Sequence, residues 1–231
     1  MKTFAIMLAR GGSKAIPKKN IMSINGTPLI EWSIKQALNS SVIEDVYVSS
    51  DDNEILECAK DCGAVPLVRS PELSCDQSSS EDGWLDALNR IKQTHKLKGS
   101  FFALQATSPI RHHEDFDKSY LTFRRNGLDS LFSAEVIRDH HIWEYIDDRL
   151  EPSNFIYEER GMRQNLKVKY LENGSFYILN TQKFIQHKIR HFEKIGVYEM
   201  PKYKSIQIDE YDDALIAEAL MTKFGNSHDY N

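Results

Sequence analysis

The chain has 231 residues, of which 41% are hydrophobic, so it can bury one sizeable core without needing a second full domain. Its formal net charge of −5 argues against nucleic-acid binding, which depends on a broad basic face. The sequence contains no apolar stretch of about 18 residues and no signal-peptide pattern. Its three cysteines are an odd number and do not suggest a disulfide framework. The sequence therefore predicts a cytoplasmic protein without a membrane partner.

Apolar runs alternate with helical patterns along the first part of the chain, which is typical of βαβ units and of an α/β fold with a mainly parallel sheet. Strands are predicted at residues 3–9, 45–49, 65–68, 101–105 and 130–137. Helices are predicted after Thr27-Pro28, over about 52–62, through Trp84 to Ile91 and from about His113. Asn25-Gly26 predicts a turn, after which Thr27 supplies an N-cap and Pro28 the first turn of a helix.

The pattern changes at residues 138–172, where charged and aromatic residues alternate without a helical or strand period. This stretch, with parts of 180–195, is predicted to be an excursion from a single domain over 1–231: a surface insertion, a sugar-binding flap or an oligomer contact. Strands at 175–179 and 197–200 and a last helix over about 212–224, stopped by Gly225, complete the predicted fold.

A cationic loop directly follows the first predicted strand. It runs Ala9-Arg10-Gly11-Gly12-Ser13-Lys14 and continues as Pro17-Lys18-Lys19-Asn20. Adjacent glycines let the backbone turn sharply and approach a ligand, and four basic side chains without an acid among them favour an anionic partner. The spacing fits neither an ATPase-type P-loop nor a dinucleotide-binding turn. The loop is therefore predicted to bind phosphates, and the alternative is a solvated basic loop.

Further motifs follow this loop in a fixed order along most of the chain. They are Val48–Asp52, Arg69–Leu73 with Asp76 and Ser78–Ser80, Leu104–Arg111, Arg163-Gln164, Glu172–Tyr177 and Ser205–Asp209. Together they resemble the acylneuraminate cytidylyltransferases, also called CMP-sialic acid synthetases. The resemblance implies a Rossmann-like nucleotidyltransferase sheet flanked by helices, with a small arm through which the family forms homodimers.

The resemblance also implies an activity. CMP would be transferred from CTP to the anomeric hydroxyl of a sialic acid or a sialic-like 2-keto-3-deoxy sugar acid, with release of pyrophosphate and with Mg²⁺ as cofactor, for surface polysaccharide biosynthesis. Alternatives are a cytidylyltransferase for pseudaminic, legionaminic or octulosonic acid, and a nucleotide-binding domain that has lost activity. Gln207 and Ala15, which depart from the family pattern, favour that last alternative.

If the cationic loop holds a triphosphate, its basic residues divide between the phosphates. Arg10 and Lys14 are candidates for the β- and γ-phosphates, because positive charge stabilises a departing pyrophosphate, and Lys19 is the candidate for the α-phosphate. Asn20 suits the ribose or the acceptor sugar. The predicted catalytic residues are Arg10, Lys14, Lys19 and Asp209. No covalent intermediate is required, because catalysis would come from alignment and charge.

Residues after several strands are predicted to meet, because the carboxyl ends of parallel strands lie at one edge of a sheet. The predicted cluster consists of Arg10, Asp51, Arg69, Ser78–Ser80 and Gln105. The resemblance implies nucleotide contacts by Ala9, Gly11, Ser13, Arg69, Ser78 and Ser79. For Arg69 the alternative is a strand-capping arginine, and for Ser79 a plain helix N-cap before Glu81.

Sugar-binding residues are predicted at four positions, Gln105, Arg163, Asn173 and Tyr177. Gln105 points out of a strand end, and its alternative role is to tie down loop backbone. The resemblance implies that Arg163 pairs with the acceptor carboxylate, which suits the two-pronged guanidinium. Asn173 is predicted to be partly structural, and Arg111 is either a ligand or an anchor.

The metal site is where the chain departs from the family. Members commonly have two aspartates two residues apart, whereas here Gln207 precedes Asp209. A strand would put both side chains on one face, so the Gln207 amide oxygen could join the Asp209 carboxylate around Mg²⁺. Asp213 is either a helper or an acid that favours the helix dipole, and the number of metal ions stays open.

Overall fold

A computed structural model describes residues 3–94, 97, 99–138, 141–156 and 167–225. Its strands are β1 (Thr3–Leu8), β2 (Ser23–Ile24), β3 (Thr27–Pro28), β4 (Ile43–Ser50), β5 (Val65–Val68), β6 (Ser100–Gln105), β7 (Ser130–Ile137), β8 (Trp143–Ile146), β9 (Arg149–Pro152), β10 (Lys169–Asn180) and β11 (Ile195–Met200). Its helices are α1 (Leu29–Leu38), α2 (Asn53–Asp61), α3 (Ser80–Thr94), α4 (His113–Arg125), α5 (Thr181–His187) and α6 (Tyr211–Leu220).

The main sheet has seven strands in the order β11-β7-β10-β6-β1-β4-β5. β10 is antiparallel to both its neighbours, β6 and β7, whereas every other pair is parallel. Leu8 at the end of β1 is in register with Ser49 of β4 and Gln105 of β6, so these strands end side by side. The prediction of a mainly parallel α/β sheet is confirmed, and the loops after β1, β4 and β6 open at one edge.

Helices cover both faces of the main sheet, because alternate strand residues point to opposite sides. On one face α1, α2 and α4 pack on the sheet, with Phe102, Phe116 and Phe176 at the centre of the cluster. On the other face α3 and α5 pack around Trp84 and Phe184. A third apolar cluster, at the carboxyl edge, joins the chain around β2 to α6. This third cluster brings the first and last parts of the chain together.

The start of α1 differs from its prediction. Asn25 and Gly26 form the predicted turn, with φ of 49° and 78°, but they join β2 to β3 in a hairpin. Thr27 is paired with Ile24 in that hairpin, so it does not cap a helix, and Pro28 is the N-cap residue of α1 rather than part of its first turn. Both assignments were wrong, because the paired strands extend two residues beyond the turn.

The stretch after β7 is more regular than its sequence pattern indicates. β8 and β9 form a separate two-stranded hairpin, and β10 begins at Lys169, six residues before the predicted start at Ser175. Residues 139–140 and 157–166 lie outside the described residues. Within 180–195, Phe184 of α5 and Phe192 are buried against the main sheet. The assignment of this stretch to a dimer or sugar contact stays a prediction.

The end of the chain also differs in detail from its prediction. α6 ends at Leu220, and a π-helical turn over Met221–Gly225 replaces the last part of the predicted helix. Among the described helices, none has the length and apolar character needed to cross a bilayer.

Candidate functional site

A cavity of about 390 Å³ opens at the carboxyl edge of the main sheet. Its wall includes many of the residues that the sequence singled out: Arg10, Ser13, Lys19, Asn20, Arg69, Ser78, Ser79, Gln105, Gln207 and Asp209. The loops after β1 and β5 and the last residue of β6 supply most of them, and the segment before α6 supplies the last two. The structure therefore brings together side chains that lie far apart in sequence.

Other predicted site residues lie beside this wall. Ala9 is buried, and its N–H donates to Ser49 O at 3.0 Å. Gly11 contributes backbone to the loop, and Lys14 extends from it with an exposed side chain. Arg163 lies outside the described residues.

The loop after β1 is held against the start of α2. Gly11 N–H donates to Asp51 Oδ1 at 3.0 Å, and Asn20 Nδ2 donates to Arg10 O at 2.9 Å. A Cβ on Gly11 would lie 2.7 Å from Asp52 Oδ2 and 2.8 Å from Asp52 Cβ, so only glycine fits this approach. Asn20, which is 7% exposed, thus shapes the loop as well as lining the cavity.

Each basic side chain of the cationic loop has an acidic partner in the fold. Arg10 Nη1 is 2.7 Å from Asp76 Oδ1, and Lys14 contacts the same carboxylate. The Lys14 ammonium, followed by the Arg10 guanidinium, lowers the pKa of Asp76. Lys18 pairs with Glu54, outside the cavity wall. Asp76 is part of an ordered motif that gives it no role, yet its carboxylate occupies the position where an anionic ligand of Arg10 and Lys14 would bind.

The segment before α6 carries Gln207 and Asp209, and it is not the strand that the spacing of these residues predicts. A 3-10 turn, Lys202–Ser205, is followed by irregular chain. Gln207 Nε2 donates to Asn173 O at 2.7 Å, and Ile208 N–H donates to Thr107 O at 2.8 Å. These bonds, rather than strand alternation, put both side chains at the cavity.

Asn173 and Tyr177, the two predicted sugar ligands on β10, are both bonded within the protein. Asn173 is buried, accepts from Ser133 Oγ at 2.7 Å and donates to Ser205 Oγ at 3.2 Å. The Tyr177 hydroxyl contacts Glu172 and lies 3.2 Å from Arg190 Nη1. Burial raises the pKa of Tyr177 to about 12. Asn173 therefore has a structural role, and sugar binding by either residue stays a prediction.

Three polar residues with alternative assignments have clear structural contacts. Ser79 Oγ accepts from Asp82 N–H at 3.0 Å, which is the N-cap bond, and it also lines the cavity. Arg69 is 6% exposed and donates from Nε to Ser74 Oγ at 3.0 Å, and burial lowers its pKa. Arg111 is a structural anchor, because its buried guanidinium donates to the carbonyls of Ser175 at 2.5 Å and Gln105 at 3.2 Å.

The oxygen donors at the cavity fit a magnesium ion that is coordinated partly by the protein and partly by the phosphates of a ligand. The Asp209 carboxylate is 67% exposed, and the Nε2 bond of Gln207 leaves its amide oxygen as the end that a cation would use. Within the described ranges, no group of three or more His, Cys, Asp or Glu side chains could hold a metal alone. Mg²⁺ keeps several waters and uses one or two carboxylates plus phosphate oxygens, so this set suits it.

The fold and the site together define a nucleotidyltransferase-like α/β protein. The fold is similar to that of CMP:2-keto-3-deoxy-manno-octonic acid synthetase complexed with CTP, with a TM-score of 0.69 and 16% identity over 96% of this chain and 99% of that one. It is also similar to 4-diphosphocytidyl-2C-methyl-D-erythritol synthase from Anaerococcus prevotii, with a TM-score of 0.64 and 12% identity over 96% of each chain. At these identities the likeness shows the fold alone.

The chain belongs to the cytidylyltransferase family, because the Cytidylyltransferase family model matches residues 4–221. It is 37% identical to N-acylneuraminate cytidylyltransferase A of Danio rerio, over 96% of this chain and 51% of that protein. It is 32% identical to a pseudaminic acid cytidylyltransferase of Campylobacter jejuni, over 95% of this chain and 96% of that protein. The chain thus spans about half the length of the Danio rerio relative. The family indicated by the ordered motifs is confirmed.

Proposed function

We propose that the chain transfers CMP from CTP to the anomeric hydroxyl of a sialic acid or a sialic-like 2-keto-3-deoxy sugar acid and releases pyrophosphate. The observation that carries the proposal is the cavity in which Arg10, Lys19 and Asp209 face one space at the carboxyl edge of the sheet. The names of the relatives support cytidylyl transfer to sugar acids of this type.

In this reaction the chain's own residues bind and align the reactants. Arg10 and Lys14 would exchange Asp76 for the β- and γ-phosphates, and their charge would stabilise the departing pyrophosphate. Lys19 would contact the α-phosphate, where the sugar hydroxyl attacks. Gln105 would orient the sugar from the end of β6. Alignment and charge supply the catalysis, so no covalent enzyme intermediate forms.

Asp209, with the amide oxygen of Gln207, would hold the magnesium ion. When bound, such an ion neutralises phosphate charge and lowers the pKa of a coordinated hydroxyl. Asp209 also keeps the Lys19 ammonium at the cavity, because Lys19 Nζ is 2.8 Å from Asp209 Oδ1.

A homodimer and a cytoplasmic location complete the proposal. The β8–β9 hairpin exposes large apolar side chains, with Tyr145 78% exposed and Leu150 53% exposed. Apolar surface of this kind, on a hairpin that stands outside the main sheet, supports a contact with a second copy. Cys58, Cys62 and Cys75 are all unbridged thiols, which supports a reducing compartment.

The test is release of pyrophosphate from CTP with a panel of sialic, pseudaminic, legionaminic and octulosonic acids. We expect turnover only with Mg²⁺ and one class of acceptor. Asp209→Ala should abolish it while the variant stays folded, whereas Asp212→Ala, which removes a neighbouring exposed acid on α6, should not. CTP binding without turnover on any acceptor would instead support a nucleotide-binding domain that has lost activity.

A further inference from the structure

A buried ion pair lies at the start of the segment that carries Gln207 and Asp209. Lys204 Nζ is 2.6 Å from Asp115 Oδ2, and the two side chains are 8% and 9% exposed. Removing two charges from water costs several kcal/mol per ion, so roughly that much attraction and hydrogen bonding must offset it. A buried ion pair of this kind need not stabilise the fold overall, so it can instead serve to fix the position of the chain around it.

Asp115 is fixed to the rest of the fold by further bonds. Its Oδ2 also accepts from His112 N–H at 2.8 Å, which closes the capping box of α4. Its Oδ1 lies 3.4 Å from the hydroxyl of Tyr198 on β11. The carboxylate therefore ties Lys204 to both the start of a helix and an edge strand of the main sheet.

The chain from Lys204 to Asp209 is short and held at successive points. Ser205 accepts from Asn173 Nδ2 at 3.2 Å, and Gln207 Nε2 donates to Asn173 O at 2.7 Å. Neither a helix nor a strand supports the residues from Ile206 to Asp209. Side-chain and backbone hydrogen bonds therefore hold this segment, and the Lys204–Asp115 pair is the anchor at its start.

We propose that Asp115 and Lys204 are a positioning pair that sets the place of Asp209 in the cavity. This inference rests on the proposed function. The pair would determine how well the site uses Mg²⁺ and how fast CMP is transferred, but not how strongly Arg10 and Arg69 bind the nucleotide. A displacement of about 1 Å in a reacting group can cost roughly 100-fold in rate.

The variant that tests the pair is the double substitution Asp115→Asn with Lys204→Met. It removes both charges together, so no buried charge is left uncompensated, and the amide oxygen of the new asparagine can still accept from the His112 N–H. We expect it to fold, to lose at least about 10-fold in kcat and to need more Mg²⁺ for half-maximal rate, with nearly unchanged CTP binding in the absence of Mg²⁺. Lys204→Arg keeps a charge pair with Asp115 and should retain more activity than the double variant.

A destabilised control separates positioning from stability. Leu88→Ala removes a buried side chain of α3 from the opposite face of the sheet and should lower the melting temperature of the protein. We expect this control to keep the wild-type Mg²⁺ dependence. Wild-type kcat and Mg²⁺ dependence in the double variant would overturn the proposal. A double variant that fails to fold would overturn it too, because the pair would then be a requirement of folding.

A binding measurement keeps this test distinct from that of the proposed function. Calorimetry of CTP with and without Mg²⁺ needs no turnover. We expect Mg²⁺ to strengthen CTP binding to the wild type, and the double variant to lose this gain as Asp209→Ala does. A gain retained in the double variant but lost in Asp209→Ala would refute the positioning pair, whatever the acceptor assays show.

Discussion

Lys19 Nζ and Asp209 Oδ1 lie 2.8 Å apart, although 190 positions separate the two residues in the chain. The ammonium is on the loop after β1 and the carboxylate is just before α6, so the pair joins the first and last loops of the sheet edge. The Lys19 side chain is 13% exposed, and the Asp209 side chain is 67% exposed. The carboxylate is therefore the more accessible of the two groups to a ligand that enters the cavity.

Lys19→Met should reduce kcat by about 10²–10³-fold, because it removes the cation proposed for the α-phosphate, where charge develops in the transition state. Lys18→Met is the matched control. Lys18 is the adjacent residue and has the same charge, but it pairs with Glu54 outside the cavity wall. Steady-state rates of pyrophosphate release would show the difference. Equal losses in both variants would mean that general positive charge, rather than the Lys19 contact, drives the reaction.

Gln207→Asp should lower the Mg²⁺ concentration for half-maximal rate by about 10-fold, because a carboxylate is a better ligand than an amide oxygen for a hard cation. Gln207→Glu is the control for side-chain length. Gly174 has φ +62°, and a Cβ there would clash with Gln207 Nε2, so the wild-type amide is tightly packed. A Mg²⁺ titration unchanged in both variants would place residue 207 outside the ligands of the metal.

Asp76→Asn should strengthen CTP binding by about 2- to 5-fold, because the nucleotide must displace these exposed ion pairs and such pairs are individually weak. Lys14 and Arg10 lower the pKa of Asp76, so the carboxylate is ionised at neutral pH. The difference between wild type and variant should shrink only as the pH falls through that lowered pKa. Glu72→Gln, which removes an exposed acid before the same loop, is the control. Weaker CTP binding by Asp76→Asn would show that the carboxylate instead orients Arg10.

Local patterns were sufficient to predict most strands and helices, because the spacing of apolar residues is visible within a short segment. β5 and β7 lie at the predicted positions, 65–68 and 130–137. The antiparallel direction of β10 depends on non-local packing, and no local pattern indicates it. Gln207 and Asp209 were expected on a strand because their spacing of two fits one, but hydrogen bonds to Asn173 and Thr107 hold this segment as irregular chain.

The candidate site was predictable to the extent that strand ends are predictable. The convergence of Arg10, Arg69 and Gln105 follows from parallel strands ending at one edge. By contrast, Lys18 and Lys19 are identical residues in adjacent positions, and only the fold separates one that pairs with Glu54 from one that lines the cavity. The Asp115–Lys204 pair joins residues 89 positions apart, and neither residue carries a local signal for the other.

Cys75 should be the one fast-reacting thiol of the protein, and CTP should protect it. Cys75 is exposed and lines the cavity, whereas burial raises the pKa of Cys58 and raises that of Cys62 to about 12. The thiolate is the reactive form, so at pH 8 roughly 1 in 10⁴ Cys62 side chains is reactive. Stopped-flow labelling with a disulfide reagent should show one fast phase, which Cys75→Ser removes.

Saturating CTP with Mg²⁺ should slow that fast phase by about 10-fold, since a bound nucleotide covers the thiol for about nine-tenths of the time at roughly ten times its Kd. GTP at the same concentration is the control for a general effect of phosphate charge, because it carries the same triphosphate on a larger base. Labelling that CTP leaves unchanged, at a concentration where calorimetry detects its binding, would place the nucleotide somewhere other than this cavity. The Lys19 and Asp209 assignments would then fail together, because both depend on the nucleotide binding there.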